Sequence, residues 1–442
     1  MTSGLGTLRI LLPKGFYASG VNCGVRRYRP DLGLIFSDLP ASAAGVFTRN
    51  HLKAAPIVYS QALLPNAQIR AIVTNSGQAN AATGADGEQT NQQMVAAVAK
   101  ALAVKPQQVL SASTGVIGEP LQIDKIVSAV PELVRNATDT AESFALAILT
   151  TDLVPKTVTT TVALSTGVVR ISGISKGSGM IHPNMGTMLG YLLTDAQMTP
   201  DICAELLKRV NARTFNMISV DGEVSTNDCV FLLANGASGV AVTRPQAAHF
   251  NGDNFAAKGF VTNLFATNHS ATNYSATRDF AAEEFTGEDL KKMEKALTDV
   301  AQFLAMAIAR DGEGAAKLIE TQIIGQQDED LLRRLARGLT ISPLIKTAMH
   351  GEDPNWGRII ARLGADGASA EMLAKASISL QDICVFSNGS PQKNLDRDHL
   401  RQALRRDTVV IRVEFSTSGN LVKAWGCDLT KKYVEINAEY TT

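Results

Sequence analysis

Two spacings of apolar residues divide the chain. Short runs that alternate with polar positions, or are continuously apolar, predict strands at 32–47 (with a proline-containing turn inside), 70–74, 109–113, 157–164, 167–175, 189–193, 229–233, 316–324, 408–415 and 421–427. Spacing of three and four predicts helices. One covers 88–102, with Met94, Val95, Val98 and Leu102 on a single stripe, and another covers 201–211. A long one opens near Glu288 and keeps Leu290, Met293, Leu297, Val300, Leu304 and Ile308 on one face, which reads as core. Ser342-Pro343 has the form of an N-cap followed by proline at the first helical position, 351–358 reads as a turn feeding a helix, and a last helix is expected over 429–436. Strands and helices mixed in this way predict an α/β (α+β) protein.

Several polar segments fall at the ends of these elements. The strand at 70–74 runs into Asn75-Ser76-Gly77-Gln78-Ala79-Asn80, and the strand at 109–113 runs into Thr114-Gly115. A glycine after a threonine can present its backbone N–H with no side chain in the way, which an oxyanion hole requires, although glycine at a strand end is commonly just a turn. The dense polar stretch 219–228 precedes another strand; it lacks the spacing of a calcium loop and reads as a hydrogen-bonded structural turn. Arg310-Asp311-Gly312-Glu313-Gly314 sets a glutamate between two glycines, where it could meet an ammonium group or be a plain loop carboxylate. From about 242 to 285 Asn, Thr, Ala and Ser dominate, as in a surface insertion.

Composition narrows the function more than the fold. With 442 residues, 45% hydrophobic and 19% charged, the chain can bury a large core in two or three domains or one large layered unit. Lys plus Arg and Asp plus Glu both total 42, so no net field recruits nucleic acid or an anionic membrane, and a small-molecule partner is expected. Five scattered cysteines without CxxC spacing point to reduced thiols in a cytoplasmic compartment. The six histidines fall at no metal-ligand spacing, so no metal is expected. The apolar run at 8–12 is interrupted by Arg9 and too short for a signal segment or a membrane span. Walker and GxGxxG motifs are absent, and no nucleotide cofactor is indicated.

The most telling position is Thr187, preceded by Gly186 and followed by the apolar run at 189–193. A threonine hydroxyl is a weak nucleophile, but a threonine at a chain terminus carries its own base, an α-amino group of pKa about 7.7–8.0. Cleavage between Gly186 and Thr187 would create that catalyst. Taken alone, a Gly-Thr pair reads equally as a buried threonine at a strand entry.

Four separated blocks give Thr187 a context: 73–80 (VTNSGQAN), 176–189 (KGSGMIHPNMGTML), 310–317 (RDGEGAAK) and 351–358 (GEDPNWGR). In that order along nearly the whole chain, they resemble the ArgJ family of glutamate N-acetyltransferases, or ornithine acetyltransferases, of arginine biosynthesis. The resemblance implies a layered α-β-β-α sandwich with a smaller C-terminal α/β domain from about 340. It implies a precursor cut into an α chain, 1–186, and a β chain, 187–442, assembled as a heterotetramer of two α and two β chains. It further implies transfer of acetyl from N2-acetyl-L-ornithine to L-glutamate through an acetyl-threonine at Thr187, with no cofactor and with acetyl-CoA as a conceivable second donor. Carried onto this chain, the oxyanion donors are Thr114 and Gly115. The substrate-binding positions are Thr151, with Thr150 beside it, Lys176, Thr187, Glu313, Asn437 and Thr442. The chain departs from the family pattern in having Gly186 where alanine is usual, in lacking a cysteine over 81–87, and in its longer Asn/Thr-rich insertion. An amino-terminal-nucleophile amidase or aminopeptidase that passes the acyl group to water is the alternative reading.

Overall fold

The computed structural model describes residues 10–182, 188–244 and 287–439. The insertion at 242–285 therefore lies almost wholly outside the described residues, as do Gly186, Thr187 and Thr442. The first half of the chain runs β1 (Phe16–Val21), β2 (Leu32–Phe47), α1 (Ala55–Leu63), β3 (Asn66–Gln78), α2 (Gly84–Ala101), β4 (Val109–Val116), α3 (Ile123–Arg135) and α4 (Glu142–Ala147). It continues with β5 (Lys156–Leu164), β6 (Gly167–Lys176), β7 (Leu189–Thr194), α5 (Pro200–Arg213), β8 (Ile218–Ser219) and β9 (Cys229–Ala234). The second half has α6 (Glu288–Arg310), β10 (Leu318–Gly325), α7 (Glu329–Ile341), α8 (Pro343–His350), α9 (Trp356–Ala365), α10 (Ala370–Lys375), β11 (Ser377–Leu380) and β12 (Ile383–Ser387). It ends with β13 (Ser390–Pro391), α11 (Arg397–Ala403), β14 (Thr408–Glu414), β15 (Asn420–Cys427) and α12 (Lys431–Glu439).

The first sheet has the order β4-β3-β2-β9-β7-β6-β5, with β1 added against β2. Its hinge is β2, whose first half pairs with β1 and β3 and whose second half pairs with β9. Between the halves the register shifts from Phe36 to Ala41, and Asp38, Leu39 and Pro40 are exposed. Proline cannot donate to a ladder, so a bulge is where a strand can hold it. The turn expected inside 32–47 is thus a bulge within one long strand.

That bend folds the sheet into two layers around a shared core. Ile35, Ile72 and Leu110 of one layer meet Ile174, Leu189, Tyr191, Leu193 and Phe231 of the other. The opposite faces are covered by helices: Leu32, Leu34, Ala71 and Val73 pack on α2 and α3, while Val169, Ile171, Leu192, Val230 and Leu232 share a core with α5 and α6. The result is the α-β-β-α sandwich. Two buried hydroxyls link its layers, Thr74 Oγ1 and Tyr191 Oη at 2.8 Å, so neither is left unpaired.

The second sheet has the order β13-β12-β11-β14-β10-β15-β8, with α7 packed on β10 and β15. This smaller α/β unit starts at Leu318, earlier than the boundary near 340, and it borrows β8 from the first half of the chain. Helix α6 begins at Glu288 as the apolar stripe requires, and its buried face carries Leu290, Met293, Leu297, Val300, Leu304 and Ile308. Ser342 caps α8, accepting from the Ile345 N–H with Pro343 at the first helical position.

Candidate active site

One end of the sandwich gathers the C-terminal ends of the parallel strands β3 and β4 from one layer. The other layer contributes the end of β6 and the starts of β7 and β9. Thr114 lies near the end of β4 and Lys176 is the last residue of β6, so the two layers bring them face to face. Lys176 Nζ donates to Thr114 Oγ1 at 3.1 Å and to Thr150 Oγ1 at 2.8 Å. An ammonium can only donate, so Thr114 Oγ1 acts as acceptor there and its own proton is free to point elsewhere. Lys176 has a third N–H, and the nearest carboxylate oxygen among the described residues, Asp152 Oδ2, stands 3.9 Å away.

Gly115 has φ +133°, and a Cβ built on it would lie 2.2 Å from the Gly77 carbonyl carbon of β3. Only glycine fits this approach of two strand ends. The glycine after Thr114 is therefore a requirement of the backbone, whatever its N–H binds.

Lys176 is almost wholly buried, and burial pushes its ammonium below the ordinary lysine range; Asp152, Asp228 and Glu313 oppose that shift. Asp152 also accepts from the Gly177 N–H at 2.7 Å and from Lys156 Nζ at 2.8 Å, and Lys156 reaches Asp311 at 2.6 Å. Burial alone would raise the Asp152 pKa, but Lys176, Lys156 and the two hydrogen bonds outweigh it and hold it at about 2. The result is a buried chain of alternating charge, Lys176, Asp152, Lys156, Asp311, that fixes the end of β6.

Glu313 enters from the second half of the chain. Its N–H donates to the Ser178 carbonyl at 3.0 Å, and Asn437 Nδ2 of α12 donates to Glu313 Oε2 at 2.9 Å. A Cβ on Gly179 would lie 2.4 Å from the Glu313 carboxyl, so the glycine of the KGSG block makes room for it. Lys176 thus meets Thr114, and Glu313, held beside Ser178, meets Asn437. Thr151 does not join them through Lys176; the hydrogen bond goes to its neighbour Thr150, whose carbonyl is also contacted by Arg26 Nη2 at 3.4 Å.

The sequence reading missed Asp152, Lys156, Asp311 and Asp228. Asp228, assigned there to a structural turn, is fully buried immediately before β9, and Cys229 is in register with Leu189 of β7. Among the described residues, neither of its carboxylate oxygens has a well-formed hydrogen bond. Burial raises its pKa well above the ordinary carboxylate value, with the nearby Met188 N–H, Thr48 hydroxyl and Lys176 offsetting this only in part. Among the described residues no group of three or more His, Cys, Asp or Glu could hold a metal ion, and no helix is long and apolar enough to cross a membrane.

The chain is similar to known proteins over nearly its whole length. The model of the ArgJ family matches residues 17–442. The protein named arginine biosynthesis bifunctional protein ArgJ 1 from Nostoc sp. is 40% identical, with 98% of each chain covered. Arginine biosynthesis bifunctional protein ArgJ from Thermosynechococcus vestitus is 41% identical over 97% of each chain. Its namesake from Thermotoga neapolitana is 38% identical, covering 98% of this chain and all of the relative.

Proposed function

The chain belongs to the ArgJ family, and on that premise we propose that it is an acetyltransferase of arginine biosynthesis, moving acetyl from N2-acetyl-L-ornithine to L-glutamate by way of Thr187. In this reading Thr187 Oγ1 first attacks the Gly186 carbonyl and the peptide nitrogen leaves, giving an ester. Water then hydrolyses the ester, leaving 1–186 with a new carboxylate and Thr187 with a free amine. The amine takes the Oγ1 proton when Oγ1 attacks the acetyl carbon of the donor, and it returns that proton to the departing ornithine nitrogen. Glutamate reverses the steps and carries the acetyl group away.

The observation that supports this most is the Lys176 to Thr114 hydrogen bond. Because Oγ1 of Thr114 accepts from an ammonium, its hydroxyl is pre-set as a donor, as a developing oxyanion needs, with the Gly115 N–H as second donor. The remaining N–H of Lys176 suits the α-carboxylate common to both substrates, and Glu313, steadied by Asn437, suits the distal ammonium of ornithine. Thr442, at the chain's end, is placed by us beside the same substrate.

Once acetyl-threonine has formed, its reaction with glutamate does not depend on which donor made it, so acetyl-CoA is a chemically consistent second donor. We place the enzyme in the cytoplasm as two α and two β chains. Purified protein should run as two fragments on a denaturing gel, whereas Thr187→Ala should run as one band near 47.0 kDa. With acetyl-ornithine and glutamate, parallel lines in initial-velocity plots are expected. A Thr187→Ala chain that is still cut at this bond would refute self-cleavage by Thr187, and acetate release unaffected by glutamate would favour the amidase reading.

A further inference from the structure

A cleft of about 850 Å³ opens between the sandwich and the second sheet; Thr114, Lys176 and Glu313 are not among its lining residues, and guanidinium groups dominate it. One wall is the polar stripe of α7, with Arg333, Arg334 and Arg337 at helical spacing, while Leu332, Leu335, Ala336 and Leu339 of the same helix are buried on the sheet. Arg362 of α9 adjoins this wall, and Arg49, just past β2, stands opposite.

The carboxylates in the cleft are already engaged. Asp366 pairs with Arg362 at 2.7 Å, and Arg333 pairs with Glu329 at 2.6 Å and approaches Asp330 at 3.9 Å. Arg334 donates to the Asp366 carbonyl at 2.9 Å. That leaves Arg49 and Arg337. Among the described residues Arg49 has no hydrogen bond or ion pair, and the Nε of Arg337 is buried without a partner. Arg337 Nη2 instead meets Nε2 of His182, at 3.2 Å. Burial holds the His182 pKa down at about 4, with Arg337 adding to the effect, so the ring is neutral at pH 7 and offers a lone pair, not a charge.

A half-buried guanidinium facing a second one, with no carboxylate for either among the described residues, is a costly arrangement. An anion would relieve it. Forked donors on two walls suit a ligand with adjacent anionic groups, and a lining with few aromatic side chains leaves charge as the main source of affinity.

We propose that this cleft binds a small molecule carrying two or more linked phosphate groups, held by Arg49 and Arg337 from opposite walls. The site does not depend on the acetyl-transfer reading. Inorganic pyrophosphate, titrated calorimetrically into the full protein at low ionic strength, is expected to bind saturably at one site per chain and at least tenfold more tightly than orthophosphate. Arg337→Gln and Arg49→Gln should each weaken it about tenfold or more. Arg412→Gln, on β14 outside the cleft and paired with Glu414, should leave it unchanged. Absence of saturable binding would overturn the proposal, as would affinity retained in Arg49→Gln, equal weakening by Arg412→Gln, or tighter binding of a glutamate-rich peptide than of pyrophosphate. Arg49 is exposed, so that variant decides the matter even if Arg337→Gln fails to fold.

Discussion

Lys176 Nζ sits 3.1 Å from Thr114 Oγ1, joining the last residue of β6 to the end of β4 across the two layers of the sandwich. The contact spans 62 positions of sequence and exists only because β2 bends the sheet back on itself. A cation that uses the lone pair of a hydroxyl leaves that hydroxyl one role, to donate.

Thr114→Ala removes that donor and should lower kcat by about 100- to 1000-fold with little change in KM, while Thr114→Ser keeps most of the rate. Steady-state rates with saturating acetyl-ornithine and glutamate check this. Equal losses in both variants would mean that Thr114 acts through packing, not through its hydroxyl.

Glu313→Gln preserves the shape beside Gly179 and the contact with Asn437 but removes the charge. If Glu313 meets the ornithine ammonium, KM for acetyl-ornithine should rise about tenfold or more, the scale of one charge-assisted hydrogen bond, while KM for glutamate changes little. A matching rise for both substrates would place Glu313 elsewhere in the reaction.

Asp152 supplies a test on stability. Its pKa of about 2 in the folded chain lies below the ordinary aspartate value of 3.8, so its contribution is fully present above about pH 4 and is lost as pH falls through about 2. The difference corresponds to about 2 kcal/mol. Asp152→Asn breaks the buried charge chain between Lys176 and Lys156 and should destabilise the protein by about 3–5 kcal/mol at pH 7. Denaturant unfolding at pH 7 and pH 2.5 should show the variant's deficit shrinking at the lower pH.

The local parts of this architecture are legible in the sequence and the long-range parts are not. The stripe from Leu290 to Ile308, the Ser342-Pro343 cap and the strand ahead of Thr114 each follow from neighbouring residues. Pro40 misleads, because a bulge and a turn have the same composition and only the pairing of β2 with both β3 and β9 separates them. In the site, Lys156 and Asp311 lie 155 positions apart, and no spacing announces their ion pair. Thr150 and Thr151 are indistinguishable until the backbone decides which hydroxyl faces Lys176. Asp228 is hidden for a different reason: polar residues ahead of a strand normally mark solvent, whereas here the turn is packed under the sandwich end.

Asp228 leads to the last prediction. Its folded-state pKa is raised, so as pH climbs above the ordinary carboxylate value the unfolded chain ionises while the folded one resists, and each step costs folding stability. Asp228→Asn removes that cost while keeping the side-chain shape. The variant should therefore melt higher than the native protein at pH 7, and the gap should shrink as pH falls toward 4, because the unfolded carboxyl then takes up its proton too. If a carboxyl kept at such a cost beside the first residues of β7 serves the chemistry, the more stable Asp228→Asn should process or turn over more slowly, with a shifted pH profile. Melting temperatures across pH 4 to 8, paired with rates over the same range, separate the outcomes: a variant that is more stable and fully active, with an unshifted profile, would leave Asp228 no part in the chemistry.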